Sequence, residues 1–165
     1  MNEELMLKVS ERVYEEDRWF QGSYARILTM DQVTRGCPSS ACVCGWAVTL
    51  DNRELYNKIA HLQLLCDYGL DMVDTGLFTE GELSWLQEQL LDAVCRRFPD
   101  EWIDSVYLAW HVAGMRALDI GEGEAQYLFN QGMEPLDGLS ASEALHKIAM
   151  GVEMAEVWGR SPDYN

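Results

Sequence analysis

A complete helix start signal opens residues 78–94, FTEGELSWLQEQLLDAV. Thr79 can accept hydrogen bonds from the free amides of the first turn, and the Glu82 carboxylate can reach back to the Thr79 amide. Phe78 and Leu83 stand where a hydrophobic staple needs apolar side chains. Apolar residues then recur at helical spacing, as Leu83, Leu86, Leu90 and Val94. The stretch therefore predicts an amphipathic helix, which Pro99 ends.

The same signals predict helices on both sides of this stretch. An apolar stripe supports a first helix over 2–17, and residues 24–30 are expected to continue the helical packing. Residues 31–40 contain a glycine and a proline and predict a loop. Further helices are predicted over 41–50, over 52–74 after an Asp51–Glu54 capping pair, over 100–118 after an Asp100 cap, over 122–130, and over 140–158 after a Ser140–Glu143 capping box.

These patterns indicate the fold class. Alternating apolar and polar runs are scarce, and so are stretches rich in Val, Ile and Thr, which argues against a β-protein. The chain has 165 residues, 48% of them hydrophobic, which is enough for one core. We therefore expect an all-α fold: a single helical domain over 1–165, built as a compact bundle of about six to seven short helices in antiparallel or orthogonal packing.

The charge balance limits the partners that this chain can have. It carries 12 Lys and Arg against 28 Asp and Glu, a formal net charge of −16, and such a chain repels phosphate backbones and anionic lipid surfaces. No stretch of about 18 apolar residues is present, so no membrane span is expected. The acidic start lacks the basic opening and apolar run of a signal peptide. We expect a cytoplasmic protein that binds neither nucleic acid nor membrane.

Three of the five cysteines lie within eight residues of one another, at Cys37, Cys42 and Cys44. With His61 or Cys66 as a fourth ligand they could bind zinc. However, only one residue separates Cys42 from Cys44, and on a helix these two side chains would point about 200° apart. Burial as small apolar side chains is therefore the preferred interpretation. A metal site, and a disulfide or redox pair between Cys37 and Cys42, remain open alternatives.

The sequence offers no recognisable catalytic constellation. Phosphate loops, nucleophile elbows and dinucleotide fingerprints are missing, and His111 is expected to be a core or boundary histidine. We therefore expect no enzyme and no cofactor. Of the six tryptophans, Trp85 and Trp102 fall near predicted helix starts, where partial exposure is expected. Exposed tryptophan often anchors protein interfaces, so these two are the candidate interaction residues.

Residues 37–47, CPSSACVCGWA, resemble a motif of small mycobacteriophage and actinobacterial proteins, Cys-Gly-Thr-x-x-Cys-x-x-Gly-Trp-Ala. Two further blocks of those proteins have counterparts in the same order, WFQGSY at 19–24 and LDIGEGEAQYLF at 118–129. Pro38 stands in place of the usual Gly, and Ser39 in place of the usual Thr. The blocks at 37–47 and 118–129 are farther apart than in short relatives, which predicts an inserted helical hairpin at 52–100.

The resemblance implies a phage or prophage origin and no particular activity. It also implies that Cys37 and Cys42 hold a loop–helix junction, with Gly45 and Trp46 completing a structural motif. The expected function is that of a phage accessory protein that binds a host or phage protein. Two alternatives stay open: an acidic decoy that mimics nucleic acid, and a cysteine-based metal or redox protein.

Overall fold

The computed structural model describes residues 1–15, 24–27, 29–36, 40–129 and 138–152, which form eight helices and one small antiparallel sheet. The helices are α1 Glu3–Tyr14, α2 Met30–Arg35, α3 Val43–Asp51, α4 Arg53–Asp74, α5 Glu80–Cys95, α6 Val106–Leu118, α7 Glu122–Phe129 and α8 Gly138–Ala149. The strands are β1 Ala25–Arg26 and β2 Ser40–Ala41. The all-α class is confirmed, and the described residues hold one helix more than the six to seven predicted.

The predicted apolar stripe of the first helix packs α1 against α3 and α8. Its buried side chains are Leu5, Met6, Val9 and Val13, together with Ser10. The start of α1 is fixed to the end of α6, because the Asn2 amide donates to the Leu118 carbonyl at 2.8 Å. The Asn2 side chain also caps the helix by accepting from the Leu5 amide. Helix α1 is shorter than the predicted span of 2–17.

Helix α3 lies within the core, where residues 43–48 are all buried and pack against α1 and α6. Gly45 lies against the strand segment rather than against another helix. A Cβ on Gly45 would lie 1.9 Å from the backbone oxygen of Tyr24, just before β1. The close approach of two helices occurs instead at Gly114 of α6, where a Cβ would meet the Cys44 Sγ at 2.5 Å.

Helices α4 and α5 form the predicted hairpin, and its two ends differ in burial. Most buried residues of α4 lie in its first half, whereas Val94 is the one buried residue of α5. The Thr79–Glu82 capping box is confirmed. The Asp51–Glu54 pair is wrong, because Asn52 caps α4 by accepting from the Leu55 amide. None of the helices in the described part of the chain is long and apolar enough to cross a membrane.

Residues 24–36 differ most from the sequence prediction. Residues 24–30 were expected to be helical, but Ala25 pairs with Ala41 and so begins a β-ladder. A helix, α2, occupies the first half of the predicted loop at 31–40. The Thr29 side chain caps it, and Gly36 ends it with a left-handed φ of 66°. The glycine that suggested a loop is therefore a helix C-cap.

Two further helix boundaries were also predicted wrongly. Helix α6 begins at Val106 under a Ser105 cap rather than after Asp100, because the residues in between turn Ile103 into the core. Helix α8 begins at Gly138, so the predicted Ser140 cap lies inside the helix. It ends at Ala149, before Gly151 with a φ of 78°, and not near 158. Residues 153–165 lie outside the described part of the chain.

Candidate functional site

The cysteine cluster is buried where the structure describes it. The Cys42 Sγ lies 3.5 Å from the Tyr24 carbonyl oxygen, whereas the Cys44 thiol donates to the Trp110 carbonyl oxygen at 2.9 Å. The two sulfurs thus contact different elements. Burial raises the pKa of the Cys44 thiol well above its ordinary value, which keeps the thiol protonated. Cys37 lies outside the described residues, and the other described His, Cys, Asp and Glu side chains form no group suited to a metal ion.

The rest of the predicted structural motif contributes to packing. Trp46 is buried in α3, and the Arg12 guanidinium lies 5.9 Å from its ring centroid. Gly45 lies directly beneath the backbone of Tyr24, which also accepts a hydrogen bond from the Cys42 amide at 3.2 Å. Gly45 and Trp46 therefore help to build the core, and the part played by Cys37 stays a prediction.

A groove between α6 and α7 is the first candidate site. It encloses about 590 Å³, within the usual size range of ligand pockets. Trp102, on the segment before α6, and Tyr107, in the first turn of α6, both line it and are 77% and 52% exposed. Its apolar lining is completed by Leu108, Val112, Met115, Ala125 and Phe129.

A chain of polar side chains borders this groove. The His111 Nε2 lies 3.1 Å from the Glu122 carboxylate, and its Nδ1 lies 3.5 Å from the Tyr24 hydroxyl. Gln126 donates to the other Glu122 oxygen at 3.2 Å. The Phe129 ring meets the imidazole edge-on, with centroids 5.5 Å apart. Burial raises the pKa of the Tyr24 phenol far above its ordinary range, so this hydroxyl keeps its proton.

The polar lining of the groove includes an imidazole, a phenol and two carboxylates. Its described lining contains no Ser, Thr, Cys or Lys that could attack a substrate under activation by His111. Its two formal charges are the carboxylates of Glu101 and Glu122. Glu101 forms an ion pair with Arg116, whereas the hydrogen-bond partners of Glu122 are an imidazole and an amide.

The second candidate site is the α5 outer face, which we define as Glu82, Trp85, Glu88 and Asp92. These positions follow one another at spacings of three or four residues, so they share one side of the helix. All four are exposed, Trp85 to 58%. Leu83 faces the other way, since it packs against Gly69 of α4. The α5 outer face is therefore a tryptophan among three carboxylates.

The end of the hairpin adds apolar surface and further negative charge. Leu77 and Trp85 line a cavity of about 270 Å³ together with Phe78, Glu82 and Leu86. Residues 59–95 contain no Lys or Arg, although they carry seven carboxylates. The hairpin thus combines exposed apolar side chains with the longest stretch of the chain that has no Lys or Arg.

The exposure expected for Trp85 and Trp102 is found, and their role in binding stays a prediction. The sequence did not predict the groove. His111 was expected at the core boundary, and it lies there, but its pairing with Glu122 was missed. The sequence signal for this pairing was weak, because His111 and Glu122 are eleven positions apart and a turn separates their helices. Scans against family models, curated proteins and solved structures find no match to this chain.

Proposed function

We propose that this chain is a non-enzymatic binding protein that contacts a protein partner through the α5 outer face. One observation carries the proposal: Trp85 is 58% exposed on a helix in which Val94 alone is buried. A large aromatic side chain in water gains nothing for the fold, whereas burial in an interface would remove most of its apolar area from solvent. Exposed tryptophan among polar residues is a common composition of an interface anchor.

The charge around Trp85 defines the chemistry of the partner. Glu82, Glu88 and Asp92 lie on the same exposed face of α5 as Trp85, and no Lys or Arg lies between Lys58 and Arg96. A second copy of this face would bring like charges together, which disfavours a symmetric dimer here. A partner segment that combines Lys or Arg with apolar side chains fits better. Its cations would pair with the carboxylates and stack on the indole.

Capture from a host lysate tests this function. Immobilised chain is compared with Trp85→Ala and with a matched control, Trp102→Ala, which removes an exposed tryptophan from a different surface. Because Trp85 and Trp102 are both largely exposed, both variants should keep the wild-type circular dichroism spectrum. We expect Trp85→Ala to lose the captured partner and Trp102→Ala to retain it. Equal capture by all three proteins would contradict the proposal.

An acidic decoy that mimics nucleic acid is the second candidate function, and residues 59–95, which carry seven carboxylates and no Lys or Arg, favour it. A decoy acts through charge, so its binding would vanish at high salt and would be indifferent to Trp85. The combined variant Glu82→Gln, Glu88→Gln and Asp92→Asn separates the two functions. Loss of capture with this variant alone indicates the decoy, and loss with Trp85→Ala as well indicates the apolar interface.

The biological setting follows from the sequence resemblance. We propose a phage accessory role in the cytoplasm of the host cell, with a host or phage protein as partner. The hairpin at 52–100 is then an insertion that carries the binding face. The cysteine-based metal or redox function requires Cys37, so elemental analysis with a thiol count is its direct test. A stoichiometric metal would favour it over the binding function.

A further inference from the structure

The α6–α7 groove points to a second binding site. We propose that it binds an organic cation, a protonated amine or guanidinium group carried on an apolar body. This site shares no residue with the α5 outer face, so it stands or falls independently of the function proposed above. Three properties of the groove support the assignment: its shape, a carboxylate that is paired with no Lys or Arg, and its aromatic edge.

The shape and apolar wall of the groove suit the body of such a ligand. A volume of about 590 Å³ exceeds that of one amino-acid side chain and suits a small organic molecule. Leu108 and Met115 of α6 are partly exposed and can contact a ligand, whereas the rest of the apolar lining, Val112, Ala125 and Phe129, is buried. An apolar body placed between the two helices would therefore exchange water contacts for close packing.

The charge of the groove selects the head group. Glu122 is the important residue, because both of its oxygens accept hydrogen bonds and yet neither partner is a Lys or Arg. Its side chain is 58% exposed, so a ligand can reach the carboxylate. Glu101 adds a second carboxylate, which Arg116 compensates. A cation near Glu122 would be attracted, whereas an anion would be repelled by this site and by a net charge of −16.

The aromatic rings supply a second attraction for a cation. Trp102 and Tyr107 line the groove and remain largely exposed, and the face of an indole ring attracts ammonium and guanidinium groups. A carboxylate together with an aromatic ring is the combination that distinguishes a cation from a neutral molecule of the same shape.

Matched probes test the assignment by nuclear magnetic resonance. The probes are 2-phenylethylammonium, its neutral counterpart 2-phenylethanol, and the anion 3-phenylpropionate. The readout is the indole N–H signal of Trp102, identified by its loss in Trp102→Phe. We expect 2-phenylethylammonium to shift this signal in a saturable manner, 2-phenylethanol to bind at least about fivefold more weakly, and 3-phenylpropionate to cause no shift.

Variants then locate the charge that matters. Glu122→Gln keeps the size of the side chain, and it should reduce the affinity for the cation toward that of the alcohol. Glu143→Gln removes an exposed carboxylate from α8, outside the groove, and should leave affinity unchanged. Equal affinity for the cation and the alcohol, or no effect of Glu122→Gln, would overturn the proposal.

One further probe identifies the source of the cation. N-acetylarginine amide presents a guanidinium as a protein side chain would. If it binds more tightly than 2-phenylethylammonium, the natural occupant is an arginine of a partner protein; the reverse order indicates a free amine. If neither cation shifts the Trp102 signal at millimolar concentration, the groove is not a cation site.

Discussion

The substitution Gly45→Ala tests the close packing of α3 beneath the strand segment. A Cβ at this position would lie 1.9 Å from the Tyr24 oxygen and 2.8 Å from the Ala41 Cβ. Carbon atoms in contact normally lie about 3.5–4.0 Å apart, so the backbone of Tyr24 would have to move by more than about 1 Å. Both obstacles are short and held by the sheet, so no flexible side chain can give way.

Three contributions set the free energy of unfolding that Gly45→Ala should lose. Displacing the backbone strains a well-packed core, at a cost of about 1–3 kcal/mol. It also weakens the hydrogen bond from the Cys42 amide to Tyr24, now 3.2 Å long, and an unsatisfied buried group costs about 1–3 kcal/mol. Alanine recovers about 1 kcal/mol of helix propensity. We expect a net loss of about 1–5 kcal/mol, or about 2–20 °C in the melting temperature of a chain of this size.

Urea unfolding followed by circular dichroism measures this loss. The control is Gly81→Ala in the first turn of α5, where an added Cβ has no neighbour within 4 Å. This control should be neutral or more stable by up to about 1 kcal/mol, because alanine restricts the unfolded chain. If Gly45→Ala unfolds at the same urea concentration as the wild type or higher, the close approach of Tyr24 to α3 is wrong.

Three more predictions test the core, a cap and a titration. Gln63→Leu should lower the free energy of unfolding in urea by about 2–4 kcal/mol, because the Trp110 indole N–H and the Ala25 carbonyl would lose their buried partner. Adding Trp110→Phe should recover part of this loss, and a double variant with no recovery would contradict the explanation. Thr79→Ala should lower the unfolding free energy by about 1 kcal/mol through loss of the capping box with Glu82, and an unchanged midpoint would contradict it. Burial lowers the pKa of His61 below its ordinary value of 6.5, so the unfolded chain takes up this proton first as the pH falls, and stability declines below about pH 6.5. His61→Gln should therefore lose less stability than the wild type between about pH 7.5 and 5.5, and parallel curves would exclude the effect.

Local signals sufficed for the long helices. The first-helix stripe, the Thr79–Glu82 box and the apolar repeat of α5 each depend on residues three or four positions apart, so they can be recognised from neighbouring residues. The same rule explains the wrong caps. Asp51 and Asp100 are good capping residues by type, but Asn52 and Ser105 cap α4 and α6 because the packing of the following helix selects the start. Where several residues that can cap a helix lie close together, the sequence alone does not show which of them begins the helix.

The remaining differences come from contacts between distant residues. Strand β1 exists because Ala25 pairs with Ala41 and because Gln63 of α4 donates to its carbonyl at 2.9 Å. Neither partner can be recognised from residues 24–30 alone. The groove is of the same kind, since His111 and Glu122 meet only after α6 and α7 have packed. Exposed Trp85 was predictable, because its position on the polar side of an amphipathic helix is a local property.

The two candidate sites can be tested without unfolding the protein, for a structural reason. The hairpin is held by contacts on the inner side of α5: Leu83 against Gly69, and Gln87 donating to the Leu65 carbonyl at 3.3 Å. The α5 outer face contributes to neither contact. In the groove, Ala125 and Phe129 belong to the core, whereas Trp102 and Glu122 stand at its solvent edge. Substitutions at Trp85, Trp102 and Glu122 should therefore change binding and leave the free energy of unfolding within about 0.5 kcal/mol of the wild type. A loss of binding with an unchanged midpoint assigns these side chains to recognition, because a side chain that served the fold would lower both together.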